Sequence, residues 1–203
     1  MPDQAAPQGE DPAESAYSER LIAIIHSNHA FMRILEAVRD CDPPDWLVGA
    51  GVLRDLVWDH LHGYRVPTPH RDVDVAFFDP ADLSSDHDRQ VETQLGRRLP
   101  GVPWQARNQA AVHLWYEERF GYAVPAVGSS AEGVATWPET VTSIAVRLRA
   151  DGEIDVVAPL GLSDMFEMVL RRNPRKVSLE EYRRRAREKR ILKRWPKVRF
   201  VDG

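Results

Sequence analysis

The chain has 203 residues, enough for one domain or one domain with an appendage, and its 43 % apolar content supports a buried core. No apolar run reaches the roughly 18 residues a membrane-spanning helix needs, and a single cysteine, Cys41, excludes an internal disulfide. The formal net charge of −4 hides an asymmetry, because residues 171–203 carry 14 Lys or Arg against 4 Asp or Glu. Such a basic stretch either attracts polyanions or packs back on the acidic remainder of its own chain. With no basic start followed by an apolar stretch, the expectation is a cytoplasmic protein without a signal peptide.

Residues 1–17, rich in Pro, Ala, Gln and Glu, read as a disordered leader ahead of one domain over 18–203. Ser18 suits a helix N-cap, and Leu21, Ile22, Ile25, Phe31, Leu35 and Val38 follow at helical spacing, predicting one helix over 19–40 that ends at "CDPPD". A short strand, Trp46 to Val48, runs into a glycine turn and then a helix from about Val52 to a stop at Gly63. After a proline-bearing loop come a strand from Val73 to Phe78, a helix in "HDRQVETQLGRRL", a short strand in "PWQARN" and a helix in "QAAVHLWYEERFG". Residues 121–138 read as loop, with a short helix near "SAEGVA". Two β-rich runs flank Asp151-Gly152, predicting a hairpin with a type I′ turn. "LSDMFEMVLRR" is expected to be a helix ended by "NP", and a basic helix with a Ser-Leu-Glu-Glu capping signature is expected over about 178–194. The mixture, with its hairpin, points to an α+β fold around a small mixed sheet flanked by helices.

The chemistry concentrates in two stretches. In "RDVDVAFFD", Asp72 and Asp74 fall two positions apart at the head of a strand, on one face, with Cα atoms about 6.5 to 7 Å apart. Two carboxylates so arranged converge on a divalent cation such as Mg²⁺ (or Mn²⁺), whose usual protein ligands are one or two carboxylates plus substrate phosphates. Upstream, "VGAGVLRDLVWDHLHG" reads as strand, small-residue turn and helix. Gly49, Ala50 and Gly51 allow close backbone approach, and a helix N-terminus offers free N–H groups to a phosphate. Arg54, Arg107 and Arg147 are candidates to steady phosphate oxygens, and Asn108 and His113 to line the pocket.

The pairing of Gly49-Ala50-Gly51-Val52-Leu53-Arg54-Asp55 with Arg71-Asp72-Val73-Asp74 resembles the polymerase-β-like nucleotidyltransferase superfamily, with its Gly-Gly-x-Val-Arg-Asp and Asp-x-Asp signature. Over roughly residues 20–197 the chain resembles, more closely, a family of small stand-alone bacterial nucleotidyltransferase-like proteins. That resemblance rests on "VWDHLHG", "DVDVAFFD", "NQAAVHLWYEERFG", "WPETVTSIAVRL" and "VAPLGLSDMFEMVLRRNP". It implies a polymerase-β-like core and Mg²⁺-dependent transfer of a nucleoside monophosphate from ATP or another nucleoside triphosphate to an unknown acceptor, with release of pyrophosphate. It also implies that Gly51 matches the second signature glycine, with Ala50 where the first would stand, that Arg54 is the signature arginine, and that Asp72 and Asp74 hold metal. A third catalytic and metal-binding carboxylate is expected on a neighbouring strand, and Asp155 in "EIDVVAP" is the candidate.

Two other readings stay open at this level. One is a non-catalytic nucleotide- or RNA-binding protein on the same fold, using the basic helix for phosphate contacts. The other is a Rossmann-type oxidoreductase, since "LVGAGVLR" has an acid about 20 residues on; Arg54 stands where its third glycine belongs.

Overall fold

The structure is a computed structural model that describes residues 12–173 and 178–201. Its centre is a five-stranded sheet in the order β3-β2-β1-β4-β5. These strands are β1 (Leu47–Gly49), β2 (Val73–Phe77), β3 (Trp104–Asn108), β4 (Ala145–Leu148) and β5 (Ile154–Val157). Alternation sets the face each residue takes: Val73, Val75 and Phe77 are buried in the main core, which leaves Asp74 on the opposite face. β2 and β3 run parallel and every other neighbouring pair antiparallel, so the sheet is mixed, as the hairpin implied.

The expected first helix is two helices. α1 (Pro12–Ser27) starts ahead of Ser18, and α2 (His29–Cys41) follows after Asn28, whose Oδ1 accepts from the Phe31 N–H at 2.8 Å. Local composition failed to reveal the early start because tertiary contacts stabilise it. Glu14 Oε2 accepts from the Leu162 N–H at 2.7 Å, and the Tyr17 ring stacks on Phe166 at 4.9 Å. Of the expected leader, residues 12–17 are thus helical and residues 1–11 lie outside the described residues. α3 (Gly51–His62) ends at Gly63 in the left-handed region, as expected. α4 (Ser85–Arg98), α5 (Val112–Phe120) and the short α6 (Ser130–Ala135) match their predicted stretches. The β4–β5 hairpin forms, but only Gly152 has positive φ, so its turn is not type I′.

The C-terminal third departs most from expectation. "LSDMFEMVLRR" gives one helical turn, α7 (Ser163–Phe166); the chain reverses at Met168 (φ 53°) and becomes β6 (Val169–Arg171). β6 pairs in parallel with β7 (Arg199–Val201), a partner far along the chain that periodicity cannot announce. The basic helix breaks at Arg190 (φ 52°) into α8 (Leu179–Glu188) and α9 (Ile191–Arg194).

The core joins these parts. Trp58 of α3 and Trp195, both fully buried, meet edge to face at 5.4 Å, an arrangement worth about 1 kcal/mol beyond burial. Their indole N–H groups donate to the Met165 carbonyl at 2.9 Å and to Asp59 Oδ1 at 2.8 Å. Tyr182 of α8 is fully buried, its hydroxyl 2.6 Å from the Leu170 carbonyl of β6 and 2.9 Å from that of Val201 in β7. α8 is therefore held to the two-stranded sheet by its apolar side. Arg185 and Lys189, three and seven positions beyond Tyr182, share that inward side.

Candidate active site

β1 delivers the chain to the site through Gly49. A Cβ there would lie 2.3 Å from the Ile144 carbonyl oxygen and 2.6 Å from the Ala145 Cβ, so Gly49 is required by the close approach of β4. Ala50 makes the turn at φ 58°, ψ −128°, a conformation that disfavours any residue but glycine. Its N–H donates to the Ile144 carbonyl at 3.2 Å and its carbonyl accepts from the Arg54 N–H at 3.1 Å. α3 begins at Gly51 with no side-chain cap, which leaves the N–H groups of its first turn for a ligand.

β2 lies antiparallel to β1, with Asp74 opposite Gly49 and, on its other side, opposite Gln105 of β3. Asp72, one residue ahead of the strand, is exposed, and Asp74 is partly buried. Both line a cavity of about 290 Å³ together with Ala50, Gly51, Glu139, Arg185 and Lys189. The turn and the paired carboxylates that the sequence singled out therefore share one cleft. Two carboxylates on one face, completed by phosphate oxygens from a ligand, are a donor set suited to Mg²⁺. Among the described residues no group of three or more His, Cys, Asp or Glu is arranged to hold a metal ion, so a ligand must complete any such site.

Sequence reasoning missed the other wall of the cleft. Arg185 Nε lies 3.2 Å from Glu139 Oε1, and Glu139 Oε2 accepts from the Thr142 hydroxyl at 2.9 Å. Burial would raise the Glu139 carboxyl, but Lys189, Arg185 and Arg54 outweigh it and hold the group below its ordinary value. Burial pushes the Lys189 ammonium down, with the charges of Arg185 and Arg54 adding to it, against the pull of Glu139 and Asp72. Asp74 is lifted to about 6, first by burial and then by Asp72, with Lys189, Arg107 and Arg185 opposing. Lys189, Arg107 and Arg185 thus offset only part of the burial and like-charge repulsion that raise Asp74. The basic tail folds back on the acidic body, the second of the two uses expected for it.

The remaining candidates divide. Arg107 lies on the Asp74 face of the sheet, and its Nη1 is 2.9 Å from Glu92 Oε1. Arg54 sits behind the turn: it pairs with Asp55 at 2.6 Å, and its guanidinium lies over the rings of Trp58 (5.6 Å) and Trp195 (5.3 Å). Asn108 is consumed by structure. Its amide N donates to the carbonyls of Asp79 and Asp82, and its Oδ1 accepts from the N–H groups of Asp79 and Ala110. His113 is not among the residues lining the cleft.

Asp155 is not brought to the pair. It lies on β5 with β1 and β4 between it and β2, roughly 14 Å across the sheet at about 4.8 Å per strand. There it binds Arg147 at 3.1 Å and Arg149 at 3.4 Å, and Arg147 also reaches Asp45 at 3.7 Å. Asp155 and Arg147 therefore satisfy one another away from the cleft.

The mixed five-stranded sheet thus sets the strand–turn–helix segment at Gly49–Gly51 beside the two aspartates. The chain belongs to a nucleotidyltransferase family, whose model matches residues 36–200. Its fold is similar to that of a protein whose NMR structure reveals a CCA-adding enzyme head domain. The TM-score is 0.77 at 24 % identity, covering 91 % of this chain and 96 % of that one. It is also similar to a CCA-adding enzyme solved in complex with CTP, at TM-score 0.51 and 14 % identity, covering 91 % of this chain and 43 % of that one. The chain thus spans less than half the length of that second protein. A comparison with curated proteins finds no match. The Rossmann reading falls with the sheet: β1 and β2 are antiparallel, whereas the dinucleotide fold needs a parallel crossover there. No helix among the described residues is long and apolar enough to cross a membrane.

Proposed function

We propose that this enzyme moves a nucleoside monophosphate from a nucleoside triphosphate to an acceptor hydroxyl and releases pyrophosphate, with Mg²⁺ held by Asp72 and Asp74. The observation that carries this reading is the single cleft in which the N-terminus of α3, the two aspartates, Arg185 and Lys189 converge. The N–H groups at Gly51 bind the outer phosphates, where the helix dipole favours negative charge. Arg185 offers a planar fork of donors and Lys189 a point charge to the same phosphates. Glu139 holds Arg185 in position and so acts as a positioning residue. Bound metal supplies charge neutralisation at the transferring phosphorus and a lower pKa for the attacking hydroxyl. A bound triphosphate would draw on the charges of Arg185 and Lys189, which share the cleft with the aspartates, and leave Asp72 and Asp74 to a metal ion. This couples nucleotide binding to cation binding. Asp155 has no part in this scheme.

The test is a thermal-shift panel of the four nucleoside triphosphates, with and without Mg²⁺, on wild type and Asp72→Asn. A ligand that binds only the folded state raises stability as ln(1 + [L]/Kd). The expected outcome is a Mg²⁺-dependent shift with at least one triphosphate, abolished in the variant. Binding that falls with salt but ignores Mg²⁺ and Asp72 would instead favour the non-catalytic polyanion binder.

A further inference from the structure

A second, larger cavity of about 530 Å³ opens beside the cleft. The two share Asp74, Gln105, Trp137, Pro138 and Arg185, whereas Asp72, Gly51 and Lys189 line only the first. The second cavity is walled by rings: Trp115, Tyr116 and Phe120 of α5, Tyr122 just beyond it, and Trp137 at the boundary. Tyr116 packs on Phe120 at 4.5 Å and on Tyr122 at 5.4 Å, and the Tyr116 and Tyr122 hydroxyls are 3.1 Å apart. Phe120 and Tyr122 are 46 % and 42 % exposed, so two large rings face solvent at the cavity's rim. Exposed aromatic surface on one side of a concave site is the usual mark of a ring-binding pocket. Arg107, Gln105 and Gln109 add polar groups that can reach the edge of a bound heteroaromatic ring.

The direction of the reaction tells which ligand sits there. In phosphoryl transfer the attacking and leaving oxygens lie roughly in line on opposite sides of the phosphorus. If pyrophosphate leaves toward Gly51 and Lys189, the attacking hydroxyl enters from the opposite side of Asp74, where this cavity lies. Resting on the nucleotidyl-transfer reading, we infer that the aromatic cavity is the acceptor site, and that the acceptor is a small molecule with a flat aromatic or heteroaromatic ring and a free hydroxyl. Its hydroxyl oxygen forms a new bond to the α-phosphorus. The bond from that phosphorus to the bridging oxygen breaks, pyrophosphate departs with the electron pair, and the hydroxyl proton passes to water.

The test uses the whole chain and the double variant Phe120→Ala/Tyr122→Ala, which alters two exposed rings and leaves the phosphate cleft intact. Tryptophan fluorescence, to which Trp115 and Trp137 at the cavity contribute among the six tryptophans, is titrated with adenosine, uridine and 2-phenylethanol in the presence of Mg²⁺ and the triphosphate from the panel. The expected result is saturable quenching by at least one ring probe, weakened tenfold or more in the variant, with triphosphate affinity changed less than twofold. If the variant weakens the nucleoside triphosphate as much as the ring probe while inorganic tripolyphosphate binds unchanged, the cavity holds the donor's base, and the inference is overturned. It is also overturned if no ring probe saturates at millimolar concentration while the triphosphate binds with Mg²⁺. Ring binding without any Mg²⁺-dependent triphosphate binding would sink the nucleotidyl-transfer reading instead, and the acceptor role with it.

Discussion

Asp74 and Asp155 stand on the same face of one sheet, each in a strand beside an arginine-bearing neighbour, yet they have opposite fates. Asp155 lies on the edge strand and is matched at once by Arg147, directly across the β4–β5 ladder, and by Arg149. Asp74 lies inside the sheet with glycine opposite it on β1 and glutamine opposite on β3, so no cation stands directly across from it. Its opposing charges are Lys189 and Arg185, across a cleft wide enough to admit a ligand, and Arg107, two residues along β3 from Gln105. Asp155 is closed by a partner on the adjacent strand, whereas Asp74 faces Arg185 and Lys189 across open space.

The largest effect that tests this contrast is on transfer itself. Asp74→Asn should lower the rate more than ~100-fold, since even a residue supporting a metal ligand is worth 10–100-fold. Asp155→Asn should leave the rate within about threefold and cost no more than ~1 kcal/mol of stability, as for a half-exposed ion pair. Steady-state pyrophosphate release and urea unfolding read both; equal losses of activity would erase the distinction.

A smaller effect concerns pH. Asp74 titrates at about 6 in the folded protein against 3.8 for an ordinary aspartate, so folding takes up a proton between those values. Its contribution to stability is complete below 3.8 and is lost as the pH rises through about 6. Asp74→Asn removes the charge, so the variant's stability relative to wild type should increase from pH 4 to pH 7 by roughly 2 kcal/mol. Urea midpoints across that range measure it, and a flat difference would contradict it. The smallest effect is at the turn. Ala50→Gly relieves backbone strain of about 1 to 3 kcal/mol, partly offset by the greater freedom of glycine in the unfolded chain. A net gain of about 1 kcal/mol is expected by thermal unfolding, with triphosphate affinity retained.

Much of the site end was legible because its signals are local. The period-two pattern of Val73, Val75 and Phe77 sets Asp72 and Asp74 apart from the core, and the small residues at 49–51 announce a tight turn. The β5 edge misled because an acid at the head of an apolar strand says nothing about strand order; Asp155 looks like Asp74 until β1 and β4 are seen between them. Glu139, Arg185 and Lys189 were missed because they meet across 46 or more residues of chain. A signal existed in the basic helix, where Tyr182, Arg185 and Lys189 fall on one side of α8, an aromatic anchor beside two cations. The β6–β7 pairing left none, since "LSDMFEMVLRR" has helical periodicity and only its distant partner turns its end into strand.

The clasp of Tyr182 between Leu170 and Val201 gives the enzyme a timetable. A chain made from its N-terminus presents the glycine turn and the aspartates more than a hundred residues before the segment that holds α8 in place. Until β7 has emerged and docked, the cleft lacks the wall that Arg185 and Lys189 supply. The aspartate side of the cleft is thus made first, and its cationic side closes only when β7 pairs with β6.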